Sequence, residues 1–214
     1  MNDLAAWIGE IFSNKDLVRM GHFQRVEDRN LGLGWIYYGL ARLLRGQRQA
    51  VMIGSFRGFA PMMVARAFQD NGEDGRVTFI DPSLVDDFWK EPEAVSAHFA
   101  SYGIDSITHH CVTTQDFRGS EADRAITTVD LLFVDGLHTH EQARFDYETF
   151  EDRLADDAIT LFHDTGSRKL SRIYGAASAY NFSVIDYMAD LRQRDDLDVL
   201  ELPFGEGVTL VRKR

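Results

Sequence analysis

Two apolar runs break off abruptly into acids and histidines, and they constrain this chain more than any other feature. The first is Val129-Asp130-Leu131-Leu132-Phe133-Val134, followed by Asp135-Gly136-Leu137-His138-Thr139-His140; the second is Thr160-Leu161-Phe162, followed by His163-Asp164-Thr165. A near-continuous apolar run of β-type residues is the pattern of a parallel strand covered on both faces, and ligand sites form at the carboxyl ends of such strands. Two endings of this kind in one chain imply a shared site.

A chain of 214 residues, 44% of them hydrophobic and 12% aromatic, has material for one good core. A single domain over 1-214 is expected, with 1-46 a helical N-terminal extension and 47-214 a Rossmann-like core. Cys111 has no possible partner, and its apolar surroundings predict a buried structural thiol in a reducing compartment. The N-terminal segment has no basic flank, and no apolar run reaches the roughly 18 residues of a membrane span. These features predict a soluble cytoplasmic protein without membrane attachment. A net charge of −11 argues against a nucleic-acid partner, because backbone binding rests on basic patches. A small-molecule substrate becomes the default.

Apolar positions at Leu4, Ile8, Ile11, Phe12 and Leu17-Val18 predict a helix over residues 3-20 that serves packing or a homo-oligomer interface. A second helix is expected over 31-45, stopped by Gly46. Ala50-Val51-Met52-Ile53 then reads as a strand, Gly54-Ser55-Phe56-Arg57-Gly58 as a glycine turn, and the segment through Met62, Val64 and Phe68 as a helix. That succession opens a nucleotide-binding α/β unit. Its G-x-x-x-G spacing is not the dinucleotide G-x-G-x-x-G, which disfavours an NAD-dependent oxidoreductase.

A second strand, Arg76 to Ile80, ends in Asp81, about 23 positions beyond Gly58 and near the ~20-residue offset of a carboxylate that binds a ribose diol. Further expected elements are a helix over 93-102, a strand over 104-113, the loop Thr114-Gln115-Asp116, and the first of the two opening runs as a strand. A helix through Phe145, Tyr147, Phe150 and Leu154, a strand over 158-162 and a helix over 168-190 follow. Two closing strands, Leu197 to Leu202 and Gly207 to Val211, complete the chain. The whole predicts an α/β fold: a Rossmann-like, doubly wound, seven-stranded and mostly parallel sheet with an antiparallel edge strand. Acid pairs at Asp86-Asp87, Asp156-Asp157 and Asp195-Asp196 are expected to be solvated. Arg168-Lys169 reads as the start of a surface helix, and His140 as a solvated neighbour of His138. His109 and His110, adjacent on a strand, should face opposite ways.

The order of glycine turn, ribose acid, Thr-Gln loop, D-G-x-H and H-D resembles the class I S-adenosylmethionine-dependent methyltransferases. It is most similar to their metal-dependent O-methyltransferase branch, which includes catechol and macrolide sugar O-methyltransferases and cephalosporin-hydroxylase-like proteins. The resemblance spans roughly residues 31-165. It implies Gly54, Ser55 and Gly58 against the methionine part of the cofactor, Asp81 on its ribose, Thr114 and Gln115 beside its adenine, and Asp135 at the cofactor as well. It further implies Asp135, His163 and Asp164 as ligands of a divalent metal and His138 as the catalytic base. The branch usually has an acid where this chain has Met52, and more often an acid than a histidine at the place of His163.

The chemistry is coherent. A hydroxyl is a poor nucleophile until it loses its proton or binds a metal that lowers its pKa. Asp135 and Asp164 suit Mg²⁺, and the imidazole of His163 tilts the preference toward Mn²⁺ or Fe²⁺. The ordinary pKa of a histidine, near 6.5, suits His138 to accept a proton at neutral pH. The expected function is S-adenosylmethionine-dependent, metal-assisted O-methylation of a small-molecule hydroxyl. A non-catalytic binding protein on the same fold is the alternative, supported by Met52. An amidohydrolase is excluded because too little chain follows His140 for a barrel. An iron oxygenase is excluded because no histidine has an acid two residues later.

Overall fold

The computed structural model describes residues 3-18, 22-45, 48-72, 74-166 and 168-214. The stop expected at Gly46 lies outside them. Chain order runs α1 (Leu4–Ser13), α2 (Gly34–Leu43), β1 (Gln49–Ile53), α3 (Phe59–Asp70), β2 (Arg76–Ile80), α4 (Pro92–Ala100) and β3 (Ile107–His110). Then come α5 (Thr114–Phe117), α6 (Glu121–Ala125), β4 (Val129–Val134), α7 (His140–Phe150) and β5 (Leu154–His163). Two short strands, β6 (Leu170–Ser171) and β7 (Tyr180–Asn181), precede α8 (Val184–Leu191), β8 (Leu197–Leu202) and β9 (Val208–Lys213).

Seven strands form one sheet in the order β3-β2-β1-β4-β5-β9-β8. The first five are mutually parallel, and β9 runs antiparallel to both β5 and β8. The doubly wound, mostly parallel sheet with an antiparallel edge is therefore present, its edge made by the β8–β9 hairpin. Strand order reverses between β1 and β4, and that switch point fixes where the site can form.

Alternation along the strands divides the core into two layers. Ala50, Met52, Leu131 and Phe133 pack with α3 and α4 on one face, while Val51, Ile53, Leu132 and Val134 pack with α7 and α8 on the other. Both faces being covered explains why β4 is apolar almost throughout. Helix α1 contributes Trp7, Ile11 and Phe12 to the first layer, and α2 contributes Tyr37 and Ala41. Met52 is fully buried there, in the core and away from the cavity described below.

Several expectations need correction. The first helix stops at Ser13, where Asn14 leaves the helical region, so Leu17 and Val18 are buried from a turn. The strand expected over 104-113 is only four residues long. Leu154 begins β5 instead of ending α7, because a one-turn 3₁₀ segment, Glu151–Arg153, intervenes. The helix expected over 168-190 is confined to Val184–Leu191. Before it the chain makes the β6–β7 hairpin, with Phe182 N donating to Lys169 O at 2.8 Å. Cys111 is exposed, since it follows β3 just past the covered part of the sheet. Among the described residues no helix is long and apolar enough to cross a membrane.

Beyond the strands the parallel ladder continues by single bonds: Gly54 N donates to Ile80 O, Asp135 N to Ile53 O, both at 2.8 Å, and Asp81 N to His110 O at 3.2 Å. Gly54 has φ +69°, and a Cβ there would lie 2.3 Å from Asp135 O. Gly54→Ala combines backbone strain with a collision against main chain and should cost about 3 kcal/mol. Urea denaturation of the variant measures it.

Candidate functional site

Residues at the carboxyl ends of β1, β2, β4 and β5 enclose a cavity of about 570 Å³. That is within the usual size of a small-molecule or cofactor pocket, roughly 300–1,000 Å³. Gly54, Ser55, Asp81, Thr114, Gln115, Asp135, His138, His163 and Asp164 all line it. Gly58 does not line it; its φ of +78° starts α3, and a Cβ would meet Phe99 at 2.7 Å.

The glycine turn is held from two sides. Asp81 accepts from Ser55 N at 3.2 Å on one oxygen and from Ser83 N at 2.8 Å on the other. Burial raises the Asp81 carboxyl above its ordinary range, with those two N–H groups opposing the rise. Arg57 lies between the rings of Phe56 and Phe88, its guanidinium carbon 4.1 and 4.2 Å from their centroids, and pairs with Asp86 at 2.5 Å. Asp86, expected to be solvated, thus fastens the loop after β2 to the glycine turn. Thr114 and Gln115, expected on a loop, begin the one-turn helix α5, capped by the Thr113 hydroxyl.

The opening runs deliver their polar ends to one place. His163 Nδ1 is 3.1 Å from Asp135 Oδ1 and 3.6 Å from Asp164 Oδ1, while His138 Nε2 is 3.3 Å from Asp164 Oδ2 and 4.0 Å from Asp135 Oδ1. One donor atom each from Asp135, His138 and Asp164 lies within 4.8 Å of the others, a spacing able to hold a cation. The third member of that set is His138; His163 stands behind it, 5% exposed, with neither ring nitrogen in an aligned hydrogen bond. Burial opposes a charge on His163, but Asp135 and Asp164 outweigh it and push the imidazole up to about 10. Burial likewise opposes charge on Asp164, yet His163, His138 and Lys169 hold its carboxyl below the usual range. Burial lowers His138, with the two carboxylates pulling the other way.

Asp164 has φ +56°, a left-handed conformation rare for a non-glycine residue and typical of functional sites. Its neighbours hold it there: Thr165 N donates to Gly207 O at 3.2 Å, Gly166 N to Glu206 O at 2.6 Å, and the Thr209 hydroxyl to the Thr165 hydroxyl at 2.9 Å.

Sequence reasoning missed several cavity residues. His22 is buried, its Nδ1 3.1 Å from the Tyr37 hydroxyl and its ring 5.1 Å from that of His163. Burial, then His163, lower its pKa to about 4. A lone histidine in a polar stretch offered no signal for this. Lys169 lines the cavity with Nζ 3.8 Å from Asp164 Oδ1, and Arg168 pairs with Asp186; no helix starts there. Tyr174, Tyr180 and Phe182 stack along the hairpin and end on the His138 ring, 4.4 Å from Phe182. Asp146, on α7, also lines the cavity. His140 is not at the site but pairs with Asp190 at 2.7 Å, and His109 and His110 do face opposite sides of β3, against Trp89 and Phe117.

A family model described as a methyltransferase domain matches residues 51-165, more than half of the chain. The chain belongs to that methyltransferase family. A sequence search of curated proteins finds no match. Among solved structures, a methyltransferase from Geobacter sulfurreducens is 18% identical with a TM-score of 0.64, over 100% of this chain and 93% of that one. The Podospora anserina methyltransferase PaMTH1, bound to S-adenosylhomocysteine, is 17% identical with a TM-score of 0.61, over 97% and 88%. A Staphylococcus aureus protein provisionally assigned as a caffeoyl-CoA O-methyltransferase is 14% identical with a TM-score of 0.62, over 97% and 92%. These likenesses establish the class I methyltransferase fold.

Burial carries the Asp146 carboxyl from its ordinary 3.8 up to about 6, against the Thr114 hydroxyl and the Gln142 amide. A raised carboxyl pKa means that charge is harder to bear in the folded state. Stability contributed here is full below pH 3.8 and is lost as pH rises through about 6. Asp146→Asn should therefore melt with the wild type near pH 4 and above it at pH 8, by up to roughly 2–3 kcal/mol of stability. Thermal unfolding followed by circular dichroism across that range checks the sign.

Proposed function

We propose that this methyltransferase transfers the methyl group of S-adenosylmethionine to a hydroxyl of a small molecule, assisted by a divalent metal. The convergence of Asp135, His138 and Asp164 at the cavity floor is the observation that carries the reading. Two carboxylate oxygens and one imidazole nitrogen are a suitable donor set for Mg²⁺ or, with the nitrogen, Mn²⁺ or Fe²⁺. A bound divalent cation supplies Lewis acidity that lowers the pKa of an adjacent hydroxyl.

The chain's own residues do the rest. Gly54 and Ser55 admit the methionine part against bare backbone, Asp81 accepts from the ribose diol, and Thr114 with Gln115 borders the adenine. Asp135, His138 and Asp164 would hold the cation at the cavity wall. The hydroxyl oxygen attacks the methyl carbon in line; the C–O bond forms as the C–S bond breaks, the sulfur keeps the electron pair as the thioether of S-adenosylhomocysteine, and the hydroxyl proton passes to water. Relatives of this fold include one bound to S-adenosylhomocysteine and one provisionally assigned to O-methylation, which supports cofactor and reaction class. Met52 points into the core, so its replacing an acid takes nothing from the cavity wall.

A second reading keeps the metal out. The contact of His163 with both Asp135 and Asp164 favours it, because an imidazolium there neutralises the pair. His138, hydrogen-bond close to Asp164 at 3.3 Å, is then free to accept the acceptor's proton as base.

Calorimetry with S-adenosylhomocysteine, in chelator and then in Mg²⁺ or Mn²⁺, separates these readings. Saturable binding of the nucleoside is expected, and Mn²⁺ should bind with an affinity that Asp164→Ala lowers by about 100-fold or more, the variant keeping its circular dichroism spectrum. No nucleoside binding under any condition would sink the methyltransferase activity. Nucleoside binding with no Mn²⁺ binding selects the metal-free reading, in which His138→Gln abolishes methyl transfer in the presence of chelator.

A further inference from the structure

One wall of the cavity serves neither the nucleoside nor the cation. It is the β6–β7 hairpin, which lies against the reacting end: the Phe182 ring is 4.4 Å from that of His138, and Lys169 Nζ is 3.8 Å from Asp164 Oδ1. Its composition departs from the rest of the chain. Net charge is −11, yet from Thr165 to Ile185 there are three cations, Arg168, Lys169 and Arg172, and no acid. Arg168 pairs with Asp186, and Lys169 with Glu206 at 3.1 Å. Arg172 lines the cavity, is exposed, and has no ion pair or side-chain hydrogen bond among the described residues. Arg57, the lining cation outside the hairpin, is held by Asp86.

Around that guanidinium the cavity is apolar and open to water. Leu84 and Val85 from the loop after β2, Leu137, and Leu170 with Ile173 of the hairpin all line it, and each is 36% or more exposed. Large aliphatic side chains scattered singly over a surface need no account, but gathered around one cavity they mark a binding site. The lining acids nearby are already met: Asp81 by two N–H groups, Asp86 by Arg57, and Asp135 with Asp164 by two histidines. A guanidinium among apolar walls, with no acid of its own, matches an oxyanion that it can grip through two parallel N–H bonds. We propose, on the strength of the methyltransferase reading above, that the acceptor is an amphipathic anion and that Arg172 selects it. Such an acceptor joins a hydroxyl, an apolar body and a carboxylate or phosphate group, the last paired with Arg172. Three residues of mostly extended chain separate Lys169 from Arg172, which sets the acid group on the order of 10 Å from a hydroxyl at Asp164.

The test is calorimetry on the full chain saturated with S-adenosylhomocysteine, with and without Mn²⁺. The probes are hydroxyphenylbutanoate and ω-hydroxyoctanoate, their counterparts with phosphate in place of carboxylate, and their neutral primary amides. The tighter of acid and phosphate should bind about 10-fold or more better than the amide, the loss expected for hydrogen bonds to a charged group, and it identifies the oxyanion. Arg172→Met should bring charged and neutral probes within about threefold, and Arg172→Lys should keep part of the preference, since an ammonium retains the charge without the fork. Affinity for S-adenosylhomocysteine should stay within about twofold in both variants. A loss of nucleoside binding in Arg172→Met overturns the proposal, because the guanidinium then serves the cofactor's own carboxylate. Wild-type chain that binds charged and neutral probes equally, or binds none of them, overturns it too, as does a preference that survives Arg172→Met; each of these leaves the methyltransferase reading standing. Failure of the wild type to bind S-adenosylhomocysteine overturns that reading, and the proposal with it.

Discussion

The close approach of Gly54 to the main chain at Asp135 is the constraint on which the site depends. β1 and β4 are adjacent at the switch point, and Asp135 N donates to Ile53 O one step past the regular ladder. Only a residue without a Cβ fits at 54, because that atom would meet the Asp135 carbonyl oxygen at 2.3 Å. The same contact that closes the sheet thus bares the backbone at the cavity floor and aims Asp135 into it. Core packing from both faces keeps the two strands from sliding apart, so the rigidity of the rim comes from the burial of Met52, Phe133 and their neighbours. Asp81, held by Ser55 and Ser83, extends the rim on one side; Asp164, held by the first residues of β9 and the turn before it, extends it on the other.

Electrostatics then decide what that rim can bear. Asp135 and Asp164 stand together in a partly buried floor, and unpaired carboxylates there would be costly. His163 and His138 meet both of them, and Lys169 meets Asp164. The burial that lowers His138 and His22 is overruled at His163, because His163 lies closest to Asp135. Two imidazoles a few ångströms apart are therefore shifted in opposite directions, His163 up and His138 down. Such divergence is what a site needs if one ring is to neutralise and the other to bind or accept.

The strands were legible because a two-faced parallel sheet leaves a signature that few other arrangements share: β1, β2, β4, β8 and β9 lie close to where their apolar runs place them. Acids and histidines after β4 and β5 were legible for the same reason, since a strand that stops being apolar has left the core. What could not be read is set by contacts distant in sequence. His22 enters the cavity only because Tyr37 and Phe59 surround it. Residues 168-183 have apolar spacing that suits a helix, but the ring stack Tyr174, Tyr180, Phe182 and the bond from Phe182 N to Lys169 O favour a hairpin. Gly175, at φ +94°, takes up the reversal. Cys111 looked buried because the run around it is apolar, whereas β3 ends one residue earlier.

Met52 and Asp146 show why position in the fold matters more than residue type. An acid absent at 52 looks like a lost cofactor contact, yet that position faces the core and the glycine turn is held by Asp81 from the next strand. An acid present at 146 looks like one more charge on a polar helix, α7, yet it is almost completely buried beside the cavity. Burial inverts the meaning of each. A side chain inside the core contributes packing whatever its family counterpart does, while a carboxylate that burial penalises needs hydrogen-bond donors around it. At Asp146 that penalty is met in part by the Gln142 amide and the Thr114 hydroxyl, which tie α7 to α5 beside the cavity.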